Sequence, residues 1–175
     1  GLPQSVIYDV LRAANGTLWI ASGSGAFRFA GDRWVRDARS DALEYPQIRS
    51  LAETSDSSLW FGGRTAVYRV TRGVTRMYGA RDGIPAGAVV YSMVVSNAIT
   101  GTPTILLGSG SGLFRLDSTD RFVAVPLPAG FDPAGLMLAR AATRGGRESL
   151  WLASIETGVA RYADGTWTVW GAREG

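Results

Sequence analysis

The segment TLWIASGSGAFRF, Thr17 to Phe29, returns eighty-seven residues later as TILLGSGSGLFRL, Thr104 to Leu116. Seven of the thirteen positions are identical, and most others exchange one apolar residue for another. Two weaker copies complete the set: SLWFGGRTAVYRV, Ser58 to Val70, and SLWLASIETGVARY, Ser149 to Tyr162. Trp19, Trp60 and Trp151 share one position, which Leu106 takes in the third copy. These anchors lie 41, 46 and 45 residues apart. Arg28, Arg69, Arg115 and Arg161 recur at another position, nine residues after the anchor in three copies and ten in the fourth. A fixed period of this length is the signature of stacked supersecondary units, each unable to bury its apolar face alone.

The flanks repeat with the anchors. SVIYDVLRAANG, QIRSLAETSDS and AVVYSMVVSNAITGTP each read as an apolar-rich strand followed by a polar turn. Asn15-Gly16 is the strongest hairpin dipeptide among these turns. After the arginine come a second turn and a last strand, RWVRD, VTRMY, RFVAV and TWTVW. Each copy therefore carries four short strands. In Ala26-Phe27-Arg28-Phe29 the alternation puts the aromatics on one face and the arginine on the other. Four-stranded antiparallel units of this period predict an all-β chain, a β-propeller of four tandem blades at about residues 1–45, 46–83, 84–133 and 134–175. Seven blades of ~44 residues need about 300 residues, so the expectation is part of a larger ring. The stretch PAGLMLARAAT, Pro133 to Thr143, has good helix formers, but repeat register makes it the first strand of the fourth blade. The Ser-Gly-Ser-Gly runs at 22–25 and 109–112 precede strands, so they read as turns and not as phosphate cradles.

Composition closes several classes. The chain has neither cysteine nor histidine, which removes Ser-His and Cys-His nucleophiles and the usual zinc sites. No metal or other cofactor is expected. All 18 basic residues are arginine, the net charge is only +3, and the arginines are scattered, so no nucleic-acid partner is expected. No apolar run reaches the ~18 residues of a membrane span, so this segment is not expected to contact a membrane. The chain begins at Gly1 without a signal-peptide pattern and is read as an excerpt of something longer.

The string GLPQSVIYDVLRAANGTLWIASGSGAFRFAGDRW resembles the two-component regulator propeller repeat, which runs GLP, a strand, an acidic or Asn-Gly turn, LWIGT, an aromatic strand and a DG or GD turn. Gly83-Ile84-Pro85 reopens the same motif in the third copy. The third copy departs from the pattern in losing the tryptophan and in an insertion around Asn97 to Thr104. The resemblance implies a sensor propeller, often seven-bladed, in the periplasmic or extracellular part of a bacterial signalling receptor. The partner it implies is a small molecule, often a carbohydrate fragment. It carries over no catalytic residue.

On that reading the chain is a non-enzymatic module that binds a ligand or partner where loops converge near the axis. Inter-blade loops and the loops between second and third strands face one end. They contain Gln4, Tyr45, Gln47, Arg64 and Glu156, the candidate ligand-binding residues. Trp19, Trp60, Leu106 and Trp151 are expected to pack blades, and the four arginines to pair with a neighbouring blade or water on the polar side of their strands. An anion site made by the four arginines is the alternative. A propeller glycosidase or lyase is a second reading. Glycosidases need two convergent carboxylates, and of the acidic residues only Asp9, Glu44, Glu53 and Glu156 fall outside turn contexts among those weighed. Lyases of the virginiamycin kind rely on histidine, which is absent. A purely structural interaction propeller, pairing with further blades or a second copy, is the third.

Overall fold

Turn chemistry sets where the strands begin and end. Asn15 Oδ1 accepts the Thr17 N–H at 3.0 Å, and Asp117 Oδ1 accepts that of Thr119 at 2.8 Å; each is a side chain mimicking a backbone turn. Arg72-Gly73 (φ 48° and 82°) and Asp164-Gly165 (φ 50° and 82°) place both central residues of a two-residue hairpin loop at positive φ, as the tight primed turns demand.

The computed structural model describes residues 4–38, 47–143 and 146–171. Its strands form four antiparallel four-stranded sheets, each a simple meander. The first comprises β1 (Ile7–Arg12), β2 (Leu18–Ser22), β3 (Gly25–Ala30) and β4 (Arg33–Arg36). The second holds β5 (Ile48–Glu53), β6 (Leu59–Gly63), β7 (Val67–Thr71) and β8 (Val74–Tyr78). The third holds β9 (Val90–Ser96), β10 (Thr104–Ser109), β11 (Gly112–Leu116) and β12 (Phe122–Val125). The fourth holds β13 (Met137–Ala142), β14 (Glu148–Ser154), β15 (Gly158–Ala163) and β16 (Thr166–Trp170). The helix-like PAGLMLARAAT is thus a strand over its second half, because Leu138 pairs with Leu152 and buries against the third sheet. The insertion of the third copy is the turn between β9 and β10, closed by Gly101 N–H donating to the Asn97 carbonyl.

The first strands β1, β5, β9 and β13 are successive neighbours, so they form the inner edge and the sheets follow one another around it in chain order. Three apolar cores lie between the four sheets, one per interface. The anchor residue of each of the first three sheets faces the sheet that follows. Trp19 meets Phe61 of the second sheet edge-to-face at 5.7 Å. Trp60, 1% exposed, meets Phe122 of the third at 6.3 Å and Tyr78 of its own sheet at 5.4 Å. Leu106, fully buried, packs in the core shared with the fourth sheet.

The arginine sits directly across from the anchor in every sheet: Trp19 with Arg28, Trp60 with Arg69, Leu106 with Arg115, Trp151 with Arg161. It therefore shares the tryptophan's face, where sequence had placed it on a separate polar side. Arg69 shows what this does. Its guanidinium lies 5.2 Å from the Trp60 ring, bonds Asp56 at 2.6 Å, and reaches Asp120 of the third sheet at 3.8 Å. Burial alone would push the Asp56 carboxyl up, but hydrogen bonds from Thr54, Ser58 and Arg69 outweigh it and hold the group well below the usual carboxylate range. In the fourth sheet the turn before Arg161 is one residue longer, and register with Trp151 is kept.

A small residue follows two positions after each anchor: Ala21, Gly62, Gly108, Ala153. At Gly62 an added Cβ would lie 2.9 Å from Val90 of the next sheet; at Gly108 it would lie 2.6 Å from the Leu136 carbonyl and 3.1 Å from Leu138. These gaps are where the next inner strand approaches. Polar latches close the same interfaces. The Ala14 N–H donates to Glu53 at 2.6 Å. Farther round, the Asn97 N–H and Ser96 hydroxyl donate to Glu148 at 2.9 and 2.8 Å. The Tyr78 hydroxyl donates to Asp120 at 2.8 Å. The Asn97 N–H, with help from Ser96 and Arg140 and against the effect of burial, lowers the Glu148 pKa from its ordinary 4.5.

Two predictions follow from these interfaces. Gly108→Ala should cost about 1–3 kcal/mol in urea unfolding, because the carbonyl it meets is backbone and cannot swing aside. Glu148→Ala should destabilise by about 1–3 kcal/mol near neutral pH. Since the folded carboxyl titrates low, that difference is present above pH 4.5 and shrinks as pH falls through the folded pKa; parallel unfolding curves at pH 6 and pH 3 measure it.

Candidate ligand site at the loop end of the axis

The inner strands carry a local irregularity at one end. β1 gains an extra residue between Ile7 and Asp9, and β5 one between Ile48 and Ser50. β9 gains one between Val90 and Ser92. The extra residues are Tyr8, Arg49 and Tyr91. A bulge bends its strand and re-aims the side chain, and here all three bulges fall at the same height. β13 has no bulge; buried Leu136 precedes it.

These side chains meet around Arg49. Its guanidinium carbon lies 4.7 Å from the Tyr8 ring centre and 5.4 Å from that of Tyr91. Gln47 Nε2 donates to the Tyr8 hydroxyl at 2.7 Å. The Arg49 Nε is buried and has no hydrogen-bond partner among the described residues. Arginines elsewhere in the fold have carboxylate partners: Arg140 pairs with Glu148 at 2.9 Å, Arg76 with Asp82 at 3.4 Å and with Asp120. Asp9, next to Tyr8 in sequence, is used by the Leu51 N–H and the Val10 N–H, each at 2.8 Å. Burial raises the Asp9 pKa, and those two bonds oppose the rise.

The turns beside the cluster are self-contained. Ser22 Oγ donates to the Gly25 carbonyl and accepts the Ser24 N–H, and Ser109 repeats this with Gly112 and Ser111. Their hydroxyls are spent on the turn. Gly23 and Gly110 lie under Tyr8 and Tyr91: an added Cβ would stand 4.0 and 3.7 Å from those rings. At the other end of the inner strands is a cleft of about 200 Å³, lined by Leu11, Leu51, Glu53, Met93, Val95 and Arg140. Its charged residues already have partners in the Ala14 N–H and Glu148.

Of the residues singled out from sequence, Gln47 joins the cluster. Gln4 is exposed ahead of β1, Arg64 is exposed but engaged in the β6–β7 turn, and Glu156 is exposed in the β14–β15 turn. Tyr45 and Glu44 lie outside the described residues. Tyr8, Arg49 and Tyr91 escaped the sequence reading. Their signal was present in the flanks, where Ile7-Tyr8-Asp9, Ile48-Arg49-Ser50 and Val90-Tyr91-Ser92 hold one repeat position. Among the described residues no group of three or more acidic side chains could hold a metal ion.

Four meandering sheets stacked around their first strands define a β-propeller segment of four blades. Residues 1–24 match the family described as two component regulator propeller, so the first repeat carries that family's motif. The chain's fold is similar to the extracellular domain described as that of hybrid two component system BT3049 from B. thetaiotaomicron (TM-score 0.73, 17% identity, 98% of this chain and 24% of that one). A similar domain, BT4673 of the same organism, gives TM-score 0.61 and 18% identity over 96% of this chain and 28% of that one. Virginiamycin B lyase from Staphylococcus aureus gives TM-score 0.66 and 19% identity over 98% of this chain and 57% of the lyase. The chain thus spans about a quarter of the receptor domains it resembles. No protein of curated function matches it. No helix among the described residues is long and apolar enough to cross a membrane.

If Arg49 serves a ligand and not the fold, its loss should be cheap. Arg49→Leu gives up two ring contacts but also removes an unpartnered buried donor, so its stability should stay within about 1 kcal/mol of wild type by urea unfolding.

Proposed function

We propose that this chain is part of a non-enzymatic sensory propeller in the periplasmic or extracellular portion of a bacterial signalling receptor, and that it binds a small molecule, with carbohydrate fragments the first class to test, at the loop end of its axis. The observation that carries this reading is the cluster of Tyr8, Gln47, Arg49 and Tyr91, where three sheets contribute to one place and a buried donor lacks a partner among the described residues. Ring faces beside hydrogen-bonding groups suit a sugar. The fold of the two receptor domains and the family motif in the first repeat support the signalling context. The absence of histidine from the sequence and the engagement of Asp9 and Glu53 by backbone N–H groups favour binding over catalysis. A thermal-shift screen of neutral and acidic oligosaccharides tests it. A ligand that raises the melting temperature, and whose effect Tyr8→Ala or Tyr91→Ala abolishes, is the expected result. Turnover of an oligosaccharide would overturn the non-enzymatic reading.

Further sheets of the same repeat would complete the ring. The fourth sheet's outer face carries Met137, Trp151, Val159 and Trp170 in the register that seats the next blade elsewhere. Trp151 stacks on Trp170 at 5.7 Å, as Trp60 packs on Tyr78, but Trp170 is 41% exposed where Tyr78 is fully buried. The first sheet's outer face offers the receiving side, with Val10 62% and Phe29 39% exposed. In the 175-residue chain on its own, a second copy's first sheet is the available occupant. Light scattering should therefore show concentration-dependent association that Val10→Arg or Val159→Arg suppresses. A monomer at every concentration would contradict this.

A further inference from the structure

We propose that Arg49 is the anchor of a carboxylate site, so that the ligand at the loop end of the axis is acidic and carries its carboxylate beside a ring that Tyr8 and Tyr91 can cover. This rests on the axial-ligand reading and narrows it to one charge type.

A guanidinium has five N–H groups in a planar fork and no acceptor. Several arginines of this fold use carboxylates, Arg69 with Asp56, Arg76 with Asp82 and Asp120, and Arg140 with Glu148. Arg161, on the outer face of the fourth sheet, resembles Arg49 in lying on a ring, that of Trp151, with a buried Nε that lacks a partner among the described residues. Arg49 is half-buried, yet its side-chain contacts are the two tyrosine rings, 4.7 and 5.4 Å from Cζ. Rings lying against the guanidinium leave its donor edge for an acceptor, and among the described residues its Nε has none. A charged donor taken partly out of water without a counter-charge costs stability, and a carboxylate approaching in the guanidinium plane would recover that cost through paired bonds.

The neighbours fit a ligand of this kind. The Tyr8 hydroxyl accepts from Gln47, which leaves its own O–H to donate outward. Asp9 is held by two backbone N–H groups, away from competition for Arg49. Three sheets supply the ensemble through equivalent bulges, so it is built by the same backbone device three times.

Calorimetry of the wild-type chain with D-glucuronate, D-galacturonate, D-glucose, D-galactose and acetate tests the assignment. One or both uronates should bind, their neutral parents at least about tenfold more weakly, and Arg49→Gln should lose about tenfold or more while keeping its near-ultraviolet circular dichroism. Arg49→Lys keeps the charge without the fork and should fall between. Acetate should bind more weakly than the uronates, since it lacks the ring. Binding should weaken as sodium chloride is raised. Equal affinity for glucose and glucuronate would overturn the carboxylate assignment while leaving an axial sugar site standing. Uronate binding untouched by Arg49→Gln, or acetate binding as well as the uronates, would overturn it too. No response to any of the five probes, with a response to a neutral oligosaccharide in the thermal-shift screen, would sink the acidic ligand alone; silence in both would remove the axial site as well.

Discussion

Each of the first three sheets in this chain is held by the sheet after it, through one face built around an anchor and its arginine. A four-stranded meander cannot bury both its faces by itself. Trp60 shows the solution: its ring fills the space between the second and third sheets, Arg69 covers its outer edge, and Gly62 leaves room for the next inner strand. The same three positions recur with Trp19, Arg28 and Ala21, and with Leu106, Arg115 and Gly108. Packing of this kind is sensitive to one methyl group, which is why the period in sequence is kept where turns and loops vary freely.

That constraint also makes the loop end of the axis. Because the sheets fan out from their first strands, any residue added at the start of those strands is added around the axis. Bulges at Tyr8, Arg49 and Tyr91 use that freedom. The same strands are smooth at their other end, where charges are consumed in latches such as Ala14 to Glu53 and Asn97 to Glu148. One end of the stack therefore fastens the sheets, and the other holds Arg49, whose Nε lacks a partner among the described residues. A strained or unsatisfied group held by a rigid scaffold is a common mark of a binding site.

Strand order and register were legible in the sequence because every sheet repeats the same residue classes at the same spacing. Even PAGLMLARAAT, whose composition favours a helix, yielded to register, since Leu138 must face the third sheet. The site was less legible. Loop composition pointed to the end of the sheets where the Arg49 cluster lies and to Gln47, but Tyr8, Arg49 and Tyr91 lie inside apolar strands and look like strand residues. A bulge has no residue signature of its own; it shows when paired strands are counted against each other. The face of the arginines was hidden for a related reason. Alternation separates Arg28 from Phe27 and Phe29, but it does not say which of the two faces meets the following sheet.

The central claim is that an anchor's contribution depends on whether another sheet covers it. Trp60 and Trp151 occupy the same repeat position, yet Trp60 is enclosed by the third sheet while Trp151 lies on the outer face of the fourth. Urea unfolding of Trp60→Ala and Trp151→Ala, made in the 175-residue chain at a concentration where it is monomeric, compares them directly. The account predicts a loss of about 3–5 kcal/mol for Trp60 and about 1 kcal/mol for Trp151. Equal losses at the two positions would contradict it, because the tryptophan would then be acting within its own sheet and the stacking would not be what the repeat preserves.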